Sequence, residues 1–267
     1  MNWSKSYTNL VNRNIGIVSL EEQEILRCSC VCVFGVGGLG GVIAEVLIRS
    51  GIGNIKIIDK DKFDPTNLNR QNFSQQSTLG VMKIDAVEEG LKGINPELKV
   101  EKYDHVNEEN IGEILSGCNV ACLALDETKP CIIISREAKK KKIPAVEGWA
   151  LPYGNVRVFT PESPSLEEIY NLPTTGKDLS AFSEQDFKDL DAKVLIQLSK
   201  IKNTEKFYSP EAMQKMKTRE WPLRSFAPCV WLTAVLMANE TIKITLKKGG
   251  ISIAPNMFLV DTSNSEQ

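Results

Sequence analysis

The run Gly35-Val36-Gly37-Gly38-Leu39-Gly40 is the first place in the chain where residue types and their spacing could do chemistry. It follows a β-favouring, apolar run and opens a helical one. Backbone N–H groups at the positive end of that helix can then face a phosphate, and the missing side chains allow close approach. A second strand, Asn54 to Ile58, ends at Asp59, about where a carboxylate takes ribose hydroxyls in a dinucleotide-binding fold. Gly35, Gly37, Gly38, Gly40 and Asp59 therefore mark a nucleotide site, but they do not separate NAD, FAD and ATP. The next segment does. The polar loop Asp64 to Gln71 and the helix start Gly80-Val81-Met82-Lys83 bring two cations, Arg70 and Lys83, to the C-terminal edge of the sheet. Hydride transfer needs only a pyrophosphate cradle, whereas a triphosphate under attack needs cations to neutralise developing charge. ATP is the expected ligand.

The elements that must hold these residues alternate. Strands are expected at Cys28 to Phe34, Asn54 to Ile58, Leu98 to Tyr103, Val120 to Leu125 and from Ala145. Helices are expected at Gly41 to Ser50, Leu79 to Gly93, Ile111 to Leu115 and Cys131 to Lys142. Such alternation means a mainly parallel sheet with helices on both faces, an α/β, Rossmann-like doubly wound fold. Ser19 followed by Glu22 has the spacing of a capping box and starts a short helix before the first strand. From Gly154 the pattern changes to an antiparallel extension at Asn155 to Phe159. A long apolar helix, Ala227 to Leu246, and a hairpin, Ile251 to Val260, close the chain. The organisation is a single domain over 1–267: an N-terminal arm (1–27), a nucleotide-binding core (28–160), a polar crossover or insertion (161–222) with one amphipathic helix near Asp191 to Lys202, and the C-terminal helix and hairpin (223–267).

Composition bounds the class. The chain has 267 residues, 42% hydrophobic and 25% charged, which suits a folded globular protein and excludes a disordered or fibrous one. With 32 Lys and Arg against 34 Asp and Glu, there is no global basic field for nucleic acid or an anionic membrane. The longest apolar stretch, Phe226 to Ala238, is short of a membrane span and is interrupted by Pro228 and Thr233. No secretory signal is expected at the N-terminus, so a cytoplasmic location is the default. Seven scattered cysteines point to reduced thiols. Cys28, Cys30 and Cys32 alternate along the first strand and are expected to pack on one face.

Together the G-x-G-G-x-G turn, Asp59, the N-L-x-R-Q loop at Asn67 to Gln71, Lys83 and the strand-end Asp126 closely resemble the ThiF/MoeB/HesA family of adenylyltransferases, relatives of the adenylation domain of ubiquitin-activating enzymes. The resemblance runs from about Arg13 to the closing hairpin and is weakest between 165 and 222. It implies that Asp59 binds the ATP ribose, that Asn67, Arg70 and Gln71 surround the phosphates, that Lys83 holds the triphosphate and that Asp126 lies near Mg²⁺. It also implies that Arg13 crosses the interface of a homodimer to reach the partner's ATP.

The departures are informative. The C-x-x-C places of the family's zinc pair fall on Ser165 and Glu168, and His105 is the only histidine, so no zinc is expected. The crossover contains no cysteine to act as a covalent nucleophile, and Cys229 is the one thiol worth testing. The tetralysine run Lys139 to Lys142 reads as a solvated helix end suited to the helix dipole.

The expected activity is ATP-dependent adenylation of a carboxylate, with Arg13, Arg70, Lys83 and Asp126 as the catalytic group. The expected partner is the free C-terminus of a small ubiquitin-like sulfur-carrier protein or a peptide, not a nucleic acid or a membrane. Activation of a tRNA-borne carboxylate, an NAD-dependent oxidoreductase and a non-catalytic partner subunit remain as alternatives.

Overall fold

The computed structural model describes all residues except 1, 202–203, 205–206, 219, 222–223 and 262–267. The expected helix end at Lys202 and the expected boundary at 222/223 lie outside the described residues. Among the described residues the strands form one seven-stranded sheet in the order β3-β2-β1-β4-β5-β6-β7. In chain order the elements are α1 (Lys5–Val11), α2 (Leu20–Cys28), β1 (Cys30–Phe34), α3 (Gly38–Arg49), β2 (Asn54–Ile58), α4 (Lys83–Ile94), β3 (Lys99–Tyr103), α5 (Ile111–Ile114), β4 (Val120–Leu123), α6 (Thr128–Lys140), β5 (Ala145–Glu147), β6 (Gly154–Phe159), α7 (Leu166–Ile169), α8 (Glu184–Ser199), α9 (Pro210–Lys217), α10 (Ala227–Leu246) and β7 (Phe258–Val260). β1 pairs in parallel with β2 and β4, and β6 and β7 add antiparallel.

Strand periodicity divides the core. Val31, Val33, Ile55 and Ile57 face α3, α4 and α10, while Cys32, Phe34, Ala121 and Leu123 face α5, α6 and the crossover helices. Each fully buried Leu or Ile of α3, such as Leu47 and Ile48, contributes roughly 1.5–3 kcal/mol. The chain reverses its winding between β1 and β4: the helix after β1 lies on one face and the helix after β4 on the other. The crevice this opens at the strand C-termini is where open α/β sheets bind ligands.

Several expectations need correction. Cys28 does not begin β1. The Ser19/Glu22 capping box starts α2, which runs on to Cys28, and Ser29 then caps it through its N–H to Leu26 O. Cys28 is exposed, so the three thiols do not share a buried face. α4 starts at Lys83, because Gly80 has φ +82° and residue 82 bridges to Lys62 in extended backbone. β4 stops at Leu123, which leaves Asp126 three residues beyond the strand end. No closing hairpin forms: Phe258–Val260 pairs with β6, and Ile253 makes only an isolated bridge to Val158. The crossover carries α7, α8 and α9 rather than one helix, and Phe187, Leu190, Val194 and Leu198 of α8 join the core against α6. The Ser165 and Glu168 positions form a capping box that opens α7. α10 runs over Ala227–Leu246 as expected, but where the apolar stretch reads as too short for a span, the whole helix is by length and composition alone apolar enough to cross a membrane. It packs against α3 and β6 and buries Thr233, Glu240 and Thr241.

Gly40 shows how tightly α3 is seated on the turn. A Cβ there would sit 1.7 Å from the Gly35 carbonyl oxygen, a backbone atom that cannot rotate away. Gly40→Ala is expected to cost about 3 kcal/mol, the upper end for overpacking, and to lower the urea midpoint without changing the slope. An unchanged midpoint would show that the turn can open without loss.

Candidate active site

The first wall of the crevice is the glycine turn. Gly35 has φ +83°, and a side chain there would meet Ala124 O at 2.5 Å, so the turn lies directly against the chain leaving β4. Gly35 N donates to Ile58 O at 2.8 Å, and Val36 N donates to Asp59 Oδ2 at 2.9 Å. Asp59 thus anchors the turn as well as ending β2. Its other oxygen accepts from Asp61 N at 2.9 Å. Lys83, 7% exposed, reaches Asp61 Oδ2 at 2.9 Å and lies 3.9 Å from Asp59 Oδ1. A buried ammonium needs this pairing. Because the Asp61 side chain is 55% exposed, it can yield its place to an incoming anion.

The second wall is the loop after β2. Asp64 caps a short 3₁₀ turn, Pro65–Asn67, and Asn67 Oδ1 accepts from Asp64 N at 3.2 Å. α10 and the segment leading into it pin this loop. Trp231 Nε1 donates to Arg70 O at 2.8 Å, and Asn69 Nδ2 donates to Ser225 O at 3.1 Å. The Arg70 guanidinium donates only to Thr66 O and Asn69 Oδ1, and among the described residues no carboxylate forms an ion pair with it. Partial burial lowers its pKa from the usual guanidinium value. Gln71 is buried beside Gly37, and its Oε1 has no hydrogen-bond partner. A half-buried cation without a carboxylate and a buried amide oxygen without a donor sit together at the glycine turn. Both are satisfied by a ligand carrying phosphate oxygens and N–H or O–H donors.

The third wall follows β4 and β5. Asp126 is accessible from the cleft. Its pKa is raised above the usual carboxylate value, first by loss of surrounding water and then by Glu127 and Asp61. Such a negative neighbourhood favours a cation. Among the described residues no group of three or more His, Cys, Asp or Glu could hold a metal ion alone. One Asp nevertheless fits Mg²⁺, which is bound through one or two carboxylates together with substrate phosphates.

These walls enclose a cleft of about 1050 Å³. Gly35, Gly37, Gly38, Asp59, Asn67, Arg70, Gln71, Lys83 and Asp126 all line it. Two expected site residues do not. Gly40 lies behind the turn, where its lack of a side chain serves packing. Arg13 is exposed on the 3₁₀ turn after α1, outside the cleft of its own chain, next to exposed Ile15 and Ile17. Lining residues that sequence reasoning missed include Trp149, Lys129, Glu184, Leu195 and His105. Trp149 had a usable signal, since it follows the C-terminal end of β5 just as Asp59 follows β2. The two α8 residues had none, because only packing brings that helix to the cleft. His105 is exposed and paired with Asp104, and the 139–142 lysines lie outside the cleft, Lys139 on Ser163 O and Lys140 and Lys141 on Glu137.

The model of the ThiF family matches residues 11–266 of the chain. The tRNA threonylcarbamoyladenosine dehydratase of Bacillus subtilis is 35% identical over 130 residues, 45% of this chain and 51% of that protein. The molybdopterin-synthase adenylyltransferase of Haemophilus influenzae is 28% identical over 159 residues, 58% of this chain and 65% of that protein. Among solved structures, the tRNA N6-threonylcarbamoyladenosine dehydratase of E. coli in complex with ATP has a TM-score of 0.52 and 28% identity, covering 54% of this chain and 60% of that one. The chain therefore spans about half to two thirds of the length of these relatives.

Proposed function

The chain belongs to the ThiF family, and from that premise we propose that it adenylates a carboxylate with ATP and releases pyrophosphate. The observation that carries this reading is Arg70, without a carboxylate ion pair among the described residues, beside the donor-less Gln71 Oε1 at the glycine turn. The relative solved with ATP supports the choice of nucleotide.

The residues act as follows. Asp59 holds the turn and takes the ribose, and the backbone of Gly35 to Gly38 admits the phosphates. Lys83 exchanges Asp61 for phosphate oxygens, and Arg70 offers its guanidinium to the charge that develops as the carboxylate attacks the α-phosphorus and pyrophosphate leaves. Asn67 keeps the loop in register. Asp126 would hold Mg²⁺, which supplies charge neutralisation on the phosphates. The proposed active form is a homodimer in which Arg13 reaches the partner's cleft. Exposed Ile15 and Ile17, the latter 82% exposed, support an interface on that arm. A cytoplasmic setting suits this chemistry.

We place the acceptor among small ubiquitin-like proteins or peptides with a free C-terminal carboxylate. The Bacillus relative's name raises a tRNA-borne carboxylate as a second reading. Charge speaks against it, since 32 Lys and Arg against 34 Asp and Glu give the chain no net basic field for a polynucleotide. Carboxylate-dependent ATP–pyrophosphate exchange, run with candidate peptides and with tRNA, tests the assignment. Exchange with tRNA alone would reverse the acceptor, and NADH formation without exchange would replace the reaction.

No covalent step is needed to form the acyl-adenylate. Cys229 Sγ donates to Pro152 O at 3.3 Å, and burial raises its pKa, both unfavourable to a thiolate. Cys229→Ser is expected to leave pyrophosphate exchange unchanged. Loss of exchange in a folded Cys229→Ser chain would assign that thiol a chemical role.

A further inference from the structure

The link 124–127 between β4 and α6 carries Asp126 and Glu127, both exposed. Such a link is placed by its two ends. At the β4 end Ala124 N donates to Phe34 O at 2.8 Å, which extends the pairing with β1 by one residue. At the α6 end the local cap is missing. Glu127 stands at the N-cap position with extended backbone but makes no side-chain cap bond, and Pro130 in the first turn has no N–H. Thr128 is 4% exposed, and a buried N–H left without a partner is costly. The partner comes from the crossover: Thr128 N donates to Asp191 Oδ1 of α8 at 2.7 Å.

Two more residues of α8 reach the same turn. Glu184 Oε1 pairs with Lys129 Nζ at 2.7 Å, and that ammonium lies 5.0 Å from the centre of the Phe187 ring. Residues 184, 187 and 191 follow the i, i+3, i+7 spacing of one helical stripe. That stripe seats the crossover on the turn just after Asp126. Docking of α8 does not hang on Asp191, since Phe187, Leu190, Val194 and Leu198 bury their side chains in the core. What Asp191 adds is local. A carboxylate at the positive end of a helix makes a charge-assisted bond, stronger and more directional than a neutral one.

We propose that Asp191 is a positioning residue: by capping α6 from the crossover it fixes the 124–127 link and so holds Asp126 in place on the cleft for Mg²⁺ and the nucleotide phosphates. The metal-holding role of Asp126 rests on the adenylation reading; the cap itself does not.

The test compares full-length wild type, Asp191→Ala and Asp191→Asn, with folding checked by urea titration. Alanine is the best helix former and keeps α8, whereas asparagine keeps an acceptor oxygen. Hydrogen exchange at the Thr128 amide is expected to accelerate about tenfold in Asp191→Ala and to stay within about threefold of wild type in Asp191→Asn. Calorimetry then compares ATP affinity in Mg²⁺ and in EDTA. In Asp191→Ala the gain in affinity due to Mg²⁺ is expected to fall about tenfold, the lower end for a group that orients a metal-holding residue, with the Kd in EDTA unchanged. In an Asp126→Ala background, where that gain is already lost, Asp191→Ala should remove nothing further. Should Asp191→Ala fail to fold, Asp191→Ser, whose side chain is too short to reach Thr128, takes its place. Unchanged amide exchange in the alanine chain overturns the cap, and asparagine loosening the amide as much as alanine does so too. A loosened amide with an unmoved Mg²⁺ gain overturns the positioning of Asp126, as does an equal loss of affinity in EDTA, which marks a general structural defect. If wild type binds ATP equally well with and without Mg²⁺, the metal role of Asp126 fails and the positioning with it, and amide exchange alone decides the cap.

Discussion

Alanine at position 126 is expected to abolish carboxylate-dependent pyrophosphate exchange in a chain that still folds. Asp126 is exposed and lines the cleft three residues beyond the end of β4. Removing a single charge-stabilising group from a preorganised site costs about 10²–10³ in rate, and losing a metal-holding carboxylate belongs at or beyond the upper figure. Stability should move the other way. Lost hydration, then Glu127 and Asp61, raise the pKa of Asp126 in the folded chain. Between the unfolded and folded pKa values the folded state then binds more protons than the unfolded state, so stability falls as pH rises through that window. At neutral pH the ionised group weakens the fold, and Asp126→Ala should unfold at the same or a higher urea concentration. In the nucleotide-free chain Glu127→Gln is expected to bring the Asp126 pKa back towards the ordinary carboxylate value. Wild-type exchange rates in Asp126→Ala would remove this residue from the mechanism.

Mixing two inactive variants is expected to restore activity if Arg13 serves its neighbour. Arg13 lies outside its own chain's cleft, whereas Lys83 is buried inside it. In a mixed dimer of Arg13→Ala and Lys83→Ala chains, one site carries both defects and the other carries neither. Random exchange makes about half of the dimers mixed, each with one intact site. Up to roughly a quarter of wild-type activity should therefore return if the sites act independently. Lys83→Ala leaves Asp59 and Asp61 without their cation, so its folding is checked by urea titration, with Arg70→Ala as the alternative partner. Inactivity after verified subunit exchange, or a fully active wild-type monomer, would show that Arg13 has no role in trans.

Much of the site was legible because its residues are tied to local backbone events. Gly35 to Gly40, Asp59 and Lys83 stand where a strand ends or a helix begins, and periodicity with capping chemistry locates such points. Cys28 was misplaced because its β-favouring neighbours matched a strand pattern. The Ser19 capping box and the hydrogen bonds of α2 outweighed that preference for one residue. The hairpin expected at 251–260 failed for a different reason. A run of alternating residues does not state its pairing partner, and β6 presented a free edge that Phe258–Val260 covered.

By itself the sequence determined the alternation of strands and helices, the C-terminal sheet edge at which the site lies, and the chemical types gathered there: a glycine cradle, two cations and two carboxylates. Each follows from local periodicity and from chain connectivity, both of which are properties of neighbouring residues. Only the tertiary structure decided which charges are already neutralised. Among the described residues Lys83 is paired with Asp61 and Arg70 forms no ion pair with a carboxylate, although both read alike as cations. It also decided that α8, from the least familiar stretch of the chain, reaches the cleft and the start of α6. Those contacts join residues more than twenty positions apart. Their energies depend on burial and on distance in space, and neither is encoded in the order of the residues alone.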